Sequence, residues 1–220
     1  MLKLSVSKLN AVNLYRQNDW FSFAMLEQTM TNKFSPSIKA DIGTDFHSII
    51  ENKTSKVVND DYYIGDKSGY RFKKSEFQEK VFSNIEYNEY DMFEVDNFKI
   101  YDAIEPVKIT ARVDILSVNK IIDIKTMSDN TLTIDKYESY HNSLQWKIYL
   151  DMFKYDLFQY KIWSVKIHDK IKYVGINDAY EIEFAPCYNM ERDIIQTIND
   201  AIGLIKEHNW EQFNSIKNVA

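Results

Sequence analysis

The sequence holds one cysteine, Cys187, among 220 residues, so it can form no internal disulfide and no four-cysteine zinc or iron–sulfur site. Proline and glycine are scarce too, at three and five residues. With so few turn-formers, long elements joined by short loops are expected. No apolar run approaches the length that crosses a bilayer, and the N-terminus lacks the basic-then-apolar pattern of a secretory signal. The expectation is a chain that stays in the cytoplasm where it is made, a reducing setting that suits a lone thiol. An excess of positive charge is missing as well. Lys and Arg number 27 against 33 Asp and Glu, a formal net charge of -6. That gives no support to wholesale coating of nucleic acid, so any phosphate binding is expected at a local basic groove. A phosphate-cradling glycine loop is also absent, which argues against a nucleotide hydrolase of that type.

What is present is apolar surface: 45% of residues are hydrophobic and 15% aromatic. This suffices for one buried core, and residues 1–220 are read as a single domain. Ser7 is a candidate N-cap for a first helix carrying Leu9, Val12, Leu14 and Phe21, and Ser35-Pro36 is read as the start of a second. Ile38, Ile42, Phe46 and Ile49 follow at helical spacing. Residues 59–75 read as a loop, and a short helix is expected from Ser75 to about Asn84. Phe98–Tyr101, Val107–Leu116 and Lys120–Met127 read as strands. One long helix is expected over Asp135–Leu157. Alternation at Trp163–His168 and again at Tyr180–Phe184 predicts an antiparallel hairpin. A closing helix carries Met190, Ile194, Ile198, Ile202 and Ile205 on one stripe. The order predicts an α/β or α+β domain around one mixed sheet flanked by helices.

The chemistry gathers at Asp114 and at Asp123-Ile124-Lys125. If their strands form a hairpin turning at Ser117–Lys120, paired residue numbers sum to 237 and Asp114 lies opposite Asp123. Cross-strand neighbours stand about 4.5–5.5 Å apart at Cβ, close enough for two carboxylates to share a cation. Lys125, two residues on, projects from the same face. Mg²⁺ prefers oxygen ligands and few protein carboxylates; such an ion activates water and stabilises charge on a phosphoryl oxygen. Lys125 could position or deprotonate that water, or offset charge on the phosphate. Acid-x-Lys alone is common in a chain this acidic, as Glu51-Asn52-Lys53 illustrates. The flanks Ile121, Ile122 and Ile124 distinguish this instance, because charges in a buried strand demand compensation.

Ala111-Arg112-Val113-Asp114-Ile115-Leu116 followed by Ile121-Ile122-Asp123-Ile124-Lys125-Thr126 resembles the paired active-site strands of the RecB-type nucleases. These belong to the PD-(D/E)XK superfamily, and the lambda-exonuclease-like branch is the nearest in kind. Three more segments resemble family motifs in the right order: Ser5-Val6-Ser7-Lys8-Leu9, Gly43-Thr44-Asp45-Phe46-His47, and Gln145-Trp146-Lys147-Ile148-Tyr149. Together they cover residues 5–149. The resemblance implies a restriction-endonuclease-like core and a metal-dependent deoxyribonuclease. The expected activity is that of an exonuclease in viral or mobile-element recombination and repair. It implies Asp114, Asp123, Lys125, Gln145 and Tyr149 as catalytic positions. His47, Asp114, Asp123 and Ile124 become the metal set, for Mg²⁺ with Mn²⁺ as substitute. DNA is the expected partner, with a single-strand annealing or other recombination protein and self-association as further candidates. A non-catalytic nuclease-fold binding module and a structure-selective endonuclease are the competing readings.

Individual residues keep two readings. His47 shares a helix face with Gly43 and Glu51; an isolated helical histidine is otherwise a satisfied structural group. Glu51 supports the site or is a surface charge. Gln145 is expected to orient water or phosphate near Lys125, and Tyr149 either supports the site or belongs to the core. Gly43 is expected to admit a neighbouring backbone. Ala111 stands where the family usually has glycine. The absent cysteines exclude the cluster-bearing subgroup, including the CRISPR-adaptation nucleases, as close relatives. For DNA contact, Arg71, Lys73 and Lys74 with Tyr62, Tyr63 and Tyr70 form one candidate track. Lys161, Lys166, Lys170 and Lys172 form another. Trp146 and Trp163 are expected in the core.

Overall fold

The computed structural model of the chain describes residues 1–33, 35–52, 57–59, 61–86, 88–128 and 131–214. Strand β1 (Leu2–Ser5) runs into α1 (Val6–Gln17), followed by α2 (Phe23–Met30) and α3 (Ile38–Asn52). Three short strands come next: β2 (Val57–Asn59), β3 (Tyr62–Ile64) and β4 (Arg71–Lys73). A helical stretch then begins as α4 (Lys74–Glu76) and continues through a π turn, Phe77–Val81, and a 3₁₀ turn, Phe82–Asn84. The long strands are β5 (Met92–Asp102), β6 (Pro106–Leu116), β7 (Ile121–Met127), β8 (Phe158–His168) and β9 (Tyr173–Phe184). Helices α5 (Ile134–His141) and α6 (Leu144–Phe153) lie between β7 and β8, and α7 (Met190–Glu207) follows β9.

Among the described residues these strands make one mixed sheet in the order β1-β6-β7-β8-β9-β4-β3-β2, with β5 also on β6. Strand β6 explains the branching. Strand β5 pairs with it from Asp102↔Pro106 to Met92↔Leu116 and so fills one edge. The other edge is shared: β1 takes Val107–Thr110 in parallel, and β7 takes only Ile115 and Leu116. Between these two partners, over residues 111–114, β6 has no ladder neighbour on that edge among the described residues. The sheet forks there.

Apolar side chains cover both faces, as expected of strands that pair inside a mixed sheet. On one face Leu9 and Val12 of α1, Ile148 of α6 and Ile194 and Ile198 of α7 pack over Val107, Ile109, Ile121 and Phe158. On the other, Ile42 and Phe46 of α3 and Phe77 pack over Ile122, Ile124, Trp163 and Val174. Trp146 and Trp163 are buried, as the sequence predicts.

Several sequence expectations shift. Ser5, not Ser7, caps α1 by accepting from the Lys8 N–H. Helix α3 begins at Ile38 with the Ser37 hydroxyl accepting from Ala40 N, so Ser35-Pro36 precedes it. Residues 59–75 hold β3, β4 and the end of β2; three-residue strands are too short to show alternation. Asp60 and Lys53 lie outside the described residues. The single helix expected at 135–157 is two, because Ser143 starts a new one. Its hydroxyl accepts from Gln145 N, and Asn10 Oδ1 accepts from both Ser143 Oγ and Leu144 N.

Lys8 shows how the N-terminal motif serves the fold. Its buried ammonium donates to the Met30 carbonyl at 3.1 Å, the Phe213 carbonyl at 3.3 Å and Asn214 Oδ1 at 2.7 Å. It thus ties α1 to the end of α2 and to the segment after α7. Lys8→Met keeps the bulk but removes a charged donor from buried acceptors, a loss of about 2–3 kcal/mol. Urea unfolding should register that drop; an unchanged midpoint would show the ammonium is not holding these segments together.

Candidate active site

The fork in the sheet is where the acidic residues meet. Strands β6 and β7 turn through Ser117–Lys120, with Ser117 N bonded to Lys120 O, and pair at Ile115↔Ile122. The register sums to 237, as the sequence predicts. The next hydrogen-bonded rung would join Val113 and Ile124. Instead Ile124 N donates to Asp114 Oδ2 at 2.6 Å. Asp114 and Asp123 are therefore not a regular ladder pair: the strands part, and the Asp114 side chain fills the opening. Strand β7 turns to β8, where Asp123 aligns with Tyr160 and Lys125 with Ile162.

Asp123 is 2% exposed. Its Oδ1 accepts from Gln145 Nε2 at 2.6 Å, and its Oδ2 faces Lys125 Nζ in an ion pair. Among the described residues that buried Oδ2 has no partner besides Lys125. Gln145 Nε2 also donates to Tyr149 Oη at 3.2 Å, and Tyr149 Oη donates to the Arg112 carbonyl at 2.7 Å. Gln145 thus holds the Asp123 carboxylate, and buried Tyr149 ties α6 to β6. From the opposite face, α3 brings His47 Nδ1 to 3.5 Å from Asp114 Oδ1. At Gly43, an added Cβ would stand 3.3 Å from Thr126 Oγ1. The close neighbour is a side-chain hydroxyl, where a backbone was expected.

The electrostatics follow from this packing. Burial pushes the Asp123 carboxyl up to about 6; Lys125 opposes the rise and Asp114 adds to it. Burial would also raise Asp114, but the His47 bond and charge, with Lys125 and the Ile124 N–H, hold it below the ordinary range. His47 and Lys125 are raised, because the aspartates outweigh the desolvation that would lower them. An ionised carboxylate withdrawn from water costs several kcal/mol unless compensated, and here one Asp123 oxygen has only the Lys125 charge. A hard cation would relieve that deficit. Among the described residues no trio of His, Cys, Asp and Glu closes around an ion by itself. Two carboxylates supplemented by water match the Mg²⁺ mode rather than a closed protein cage. Ile124 has no donor atom in its side chain, so only its carbonyl could join such a set.

Two cavities flank Lys125. One of about 670 Å³ is lined by Lys39, Thr44, His47, Ser48, Glu51 and Glu94, with Lys125 and Thr126 at its wall. The other, about 300 Å³, is lined by α1, Phe21, and Thr29 of α2, with Lys125 and Gln145 also on its wall. Glu94, not singled out in the sequence, falls opposite Asp114 in the β5–β6 register and carries φ 50°. A non-glycine residue there stores roughly 1–3 kcal/mol of strain. No periodicity in the sequence marks it. Arg112 Nη1 reaches Glu94 Oε2 at 3.2 Å, and Glu94 also shares a hydrogen bond with Glu51. Burial, with that bond and charge, raises Glu51 to about 7. Glu51 is thus part of the wall, paired with a second carboxyl.

The two cationic candidates converge in part. Arg71 N donates to Lys172 O and Arg71 Nη2 to Ile171 O at 2.8 Å, so β4 lies against the β8–β9 turn. Arg71 covers the Tyr62 ring at 5.4 Å and Lys74 the Tyr63 ring at 5.5 Å. Arg71, Lys73, Lys166, Lys170 and Lys172 are exposed. Two members drop out. Lys161 is buried, bonded to Asn84 O and ion-paired with Glu181, because β8 is covered on both faces. Tyr70 is buried with its hydroxyl on Asp169 and offers no face to a base.

Replacing Glu94 by Gln should bring Glu51 down from about 7 towards the ordinary carboxylate range, since it removes a like charge and supplies an amide donor. Burial keeps it somewhat raised. Carbon-detected NMR titration of the side-chain carboxyls reads this directly; an unmoved midpoint would mean the two glutamates are not coupled.

No protein-family model matches the chain, and no curated protein does. Solved structures similar to it include SSO0001, 19% identical over 93% of this chain and 77% of that one, with a TM-score of 0.49. The alkaline exonuclease LHK-Exo from Laribacter hongkongensis is 10% identical, over 94% of this chain and 89% of its own, with a TM-score of 0.44. A phage-related exonuclease from Haemophilus somnus 129PT is 12% identical, over 96% and 94%, with a TM-score of 0.41.

Proposed function

We propose that residues 1–220 form one metal-dependent DNA nuclease domain of the PD-(D/E)XK superfamily, on its lambda-exonuclease-like side. The observation that carries this reading is the convergence of Asp114, Asp123, Lys125 and Gln145 at the fork between β6 and β7. It supports phosphodiester hydrolysis because each group suits one part of that reaction. Asp114 and Asp123, with the Ile124 carbonyl and His47 beside them, would hold Mg²⁺ or Mn²⁺. When bound, such an ion supplies a low-pKa water and a Lewis acid for the phosphoryl oxygen.

The chain's own groups do the rest. Lys125, kept charged by two aspartates, acts as a donor to the phosphate or the attacking water and offsets charge as the phosphorus becomes five-coordinate. Gln145 positions Asp123 by holding Oδ1, and Tyr149 steadies Gln145 from the β6 backbone. Lys39 and the hydroxyls of Thr44, Ser48 and Thr126, around the larger cavity, suit the phosphates of a strand running past Lys125. The exposed cations on β4 and the β8–β9 turn suit the flanking duplex. The chain is acidic overall, so attraction is local, and threading a DNA end into a confined groove is the favoured mode of binding.

End-labelled linear DNA should be hydrolysed with Mg²⁺ and left intact in chelator. Asp123→Ala should lose metal binding and turnover. Lys125→Ala should retain DNA and metal while slowing at least about 100-fold. His47→Ala should weaken the metal titration more than the fold. Wild-type rates in Asp123→Ala or Lys125→Ala would falsify the assignment.

End dependence has its own test. Covalently closed circles should survive under conditions that consume linear DNA. Internal cutting of a gapped circle at the linear rate would favour a structure-selective endonuclease instead.

A further inference from the structure

Helix α5 carries no fully buried side chain, yet its C-terminal end is fixed by three side chains from elsewhere. Trp146 Nε1 of α6 donates to the His141 carbonyl at 3.0 Å, and Asn13 Nδ2 of α1 to the Asn142 carbonyl at 2.9 Å. Ser143 follows at once, held by Asn10 of α1 at 3.1 Å. A two-turn helix with so little burial is marginal by itself, so these bonds determine where its end stands.

That end delivers Tyr140 to the site. The half-buried Tyr140 ring lies 4.9 Å from the ring of Tyr160, which is buried in β8. Lys125 Nζ stands 5.8 Å from the centroid of the same Tyr160 ring. Tyrosine and lysine thus share one aromatic floor. The Tyr140 phenol is near enough to feel both site charges: burial raises its pKa, the Lys125 charge lowers it and the Asp123 charge raises it. The net rise keeps the group protonated, a neutral donor. Among the described residues its hydroxyl makes no hydrogen bond, whereas those of Tyr149 and Tyr160 both do. Asp123 offers it nothing, because Gln145 and Lys125 already occupy the two oxygens.

We propose that Tyr140 is a further catalytic residue, whose hydroxyl donates to a nonbridging oxygen of the scissile phosphate beside Lys125. This role rests on the nuclease reading, which puts that phosphate at Lys125. The shared floor selects the acceptor: an anion drawn to the ammonium brings its own oxygens to the neighbouring hydroxyl. No proton changes hands, so a neutral phenol suffices. A donor fixed before the substrate arrives needs no reorganisation as negative charge grows on those oxygens. Tyr140 stands five residues before Gln145 and on a separate helix, outside the segment that drew notice in the sequence.

Tyr140→Phe removes the hydroxyl and leaves the ring on Tyr160. Single-turnover hydrolysis of linear DNA in Mg²⁺ should slow about 100-fold, while anisotropy in chelator reports unchanged DNA binding. Tyr137→Phe, an exposed ring on the same helix, should keep the wild-type rate. A phosphorothioate at the first cleaved linkage tests the bond itself, because sulfur is a weak acceptor. The diastereomer whose slowing Mn²⁺ does not relieve should be cut slowly by the wild type. In Tyr140→Phe that extra slowing should vanish, since the donor is already gone. The other diastereomer should respond alike in both proteins. Wild-type turnover by Tyr140→Phe, or slowing that multiplies with the substitution for both diastereomers, would overturn the proposal and leave the nuclease reading standing. Equal losses in Tyr140→Phe and Tyr137→Phe would do the same. Absence of any hydrolysis by the wild type in Mg²⁺ or Mn²⁺ would sink the nuclease reading and the Tyr140 role together.

Discussion

Between β6 and β7 a side-chain carboxylate stands where a backbone carbonyl would continue the ladder. Asp114 Oδ2 takes the Ile124 N–H, and the rest of the site depends on that substitution. A regular hairpin would bring residues 111–114 into pairing with β7 and leave no opening. Here β1 departs into α1 at Ser5, β7 swings to β8, and the gap between them gives Asp114, Asp123 and Lys125 a common approach. The N–H is not orphaned, so the fork is tolerated: a buried backbone donor without a partner would cost about as much as the hydrogen bond it lost.

The fork also determines which helices matter. Helix α1 starts at its lip, capped by Ser5, and α6 reaches it because Asn10 of α1 holds the Ser143–Leu144 start of α6. Gln145 follows directly, bonded to Asp123. From the other face, α3 supplies His47 to Asp114. Opposite signs are thus interleaved, Lys125 against Asp123 and His47 against Asp114. Much of the mutual repulsion of the acids is offset inside the protein, and the residual deficit falls on one Asp123 oxygen.

The sequence made some of this legible for physical reasons. The isoleucine-rich flanks of Asp114 and Asp123 revealed two strands, and the Ser117–Lys120 turn fixed their register by simple counting. Helical spacing placed His47 on a site-facing surface and Gln145 and Tyr149 on another. Counting could not reveal that the ladder stops after Ile115↔Ile122, because that depends on where β1 and β8 draw their partners. Glu94 was invisible for a similar reason: its left-handed backbone is set by the neighbouring strand, and nothing in Met92–Asp102 as a string marks it. Ser143 was hidden because its cap needs Asn10, more than 130 residues earlier. Lys161 misled, since an alternating lysine reads as exposed unless the strand is known to be covered on both faces.

Charge distribution bears on how an acidic chain could handle a polyanion. From Lys125, three strand spacings lead across β8 and β9 to β4, and about six residues along β8 lead to its turn. Together these amount to roughly 25 Å. The exposed cations of β4 and that turn, from segments about 100 residues apart in sequence, are brought together there by the β4–β9 pairing. One turn of duplex rises about 34 Å, so a DNA strand engaged at Lys125 and lying along this direction would meet the cationic edge within its first turn. Attraction at that edge acts over about 8–10 Å at ordinary ionic strength, too short to be cancelled by carboxylates on distant surfaces. Net charge therefore says little about this contact. The local pairing of β4 with β9 says more.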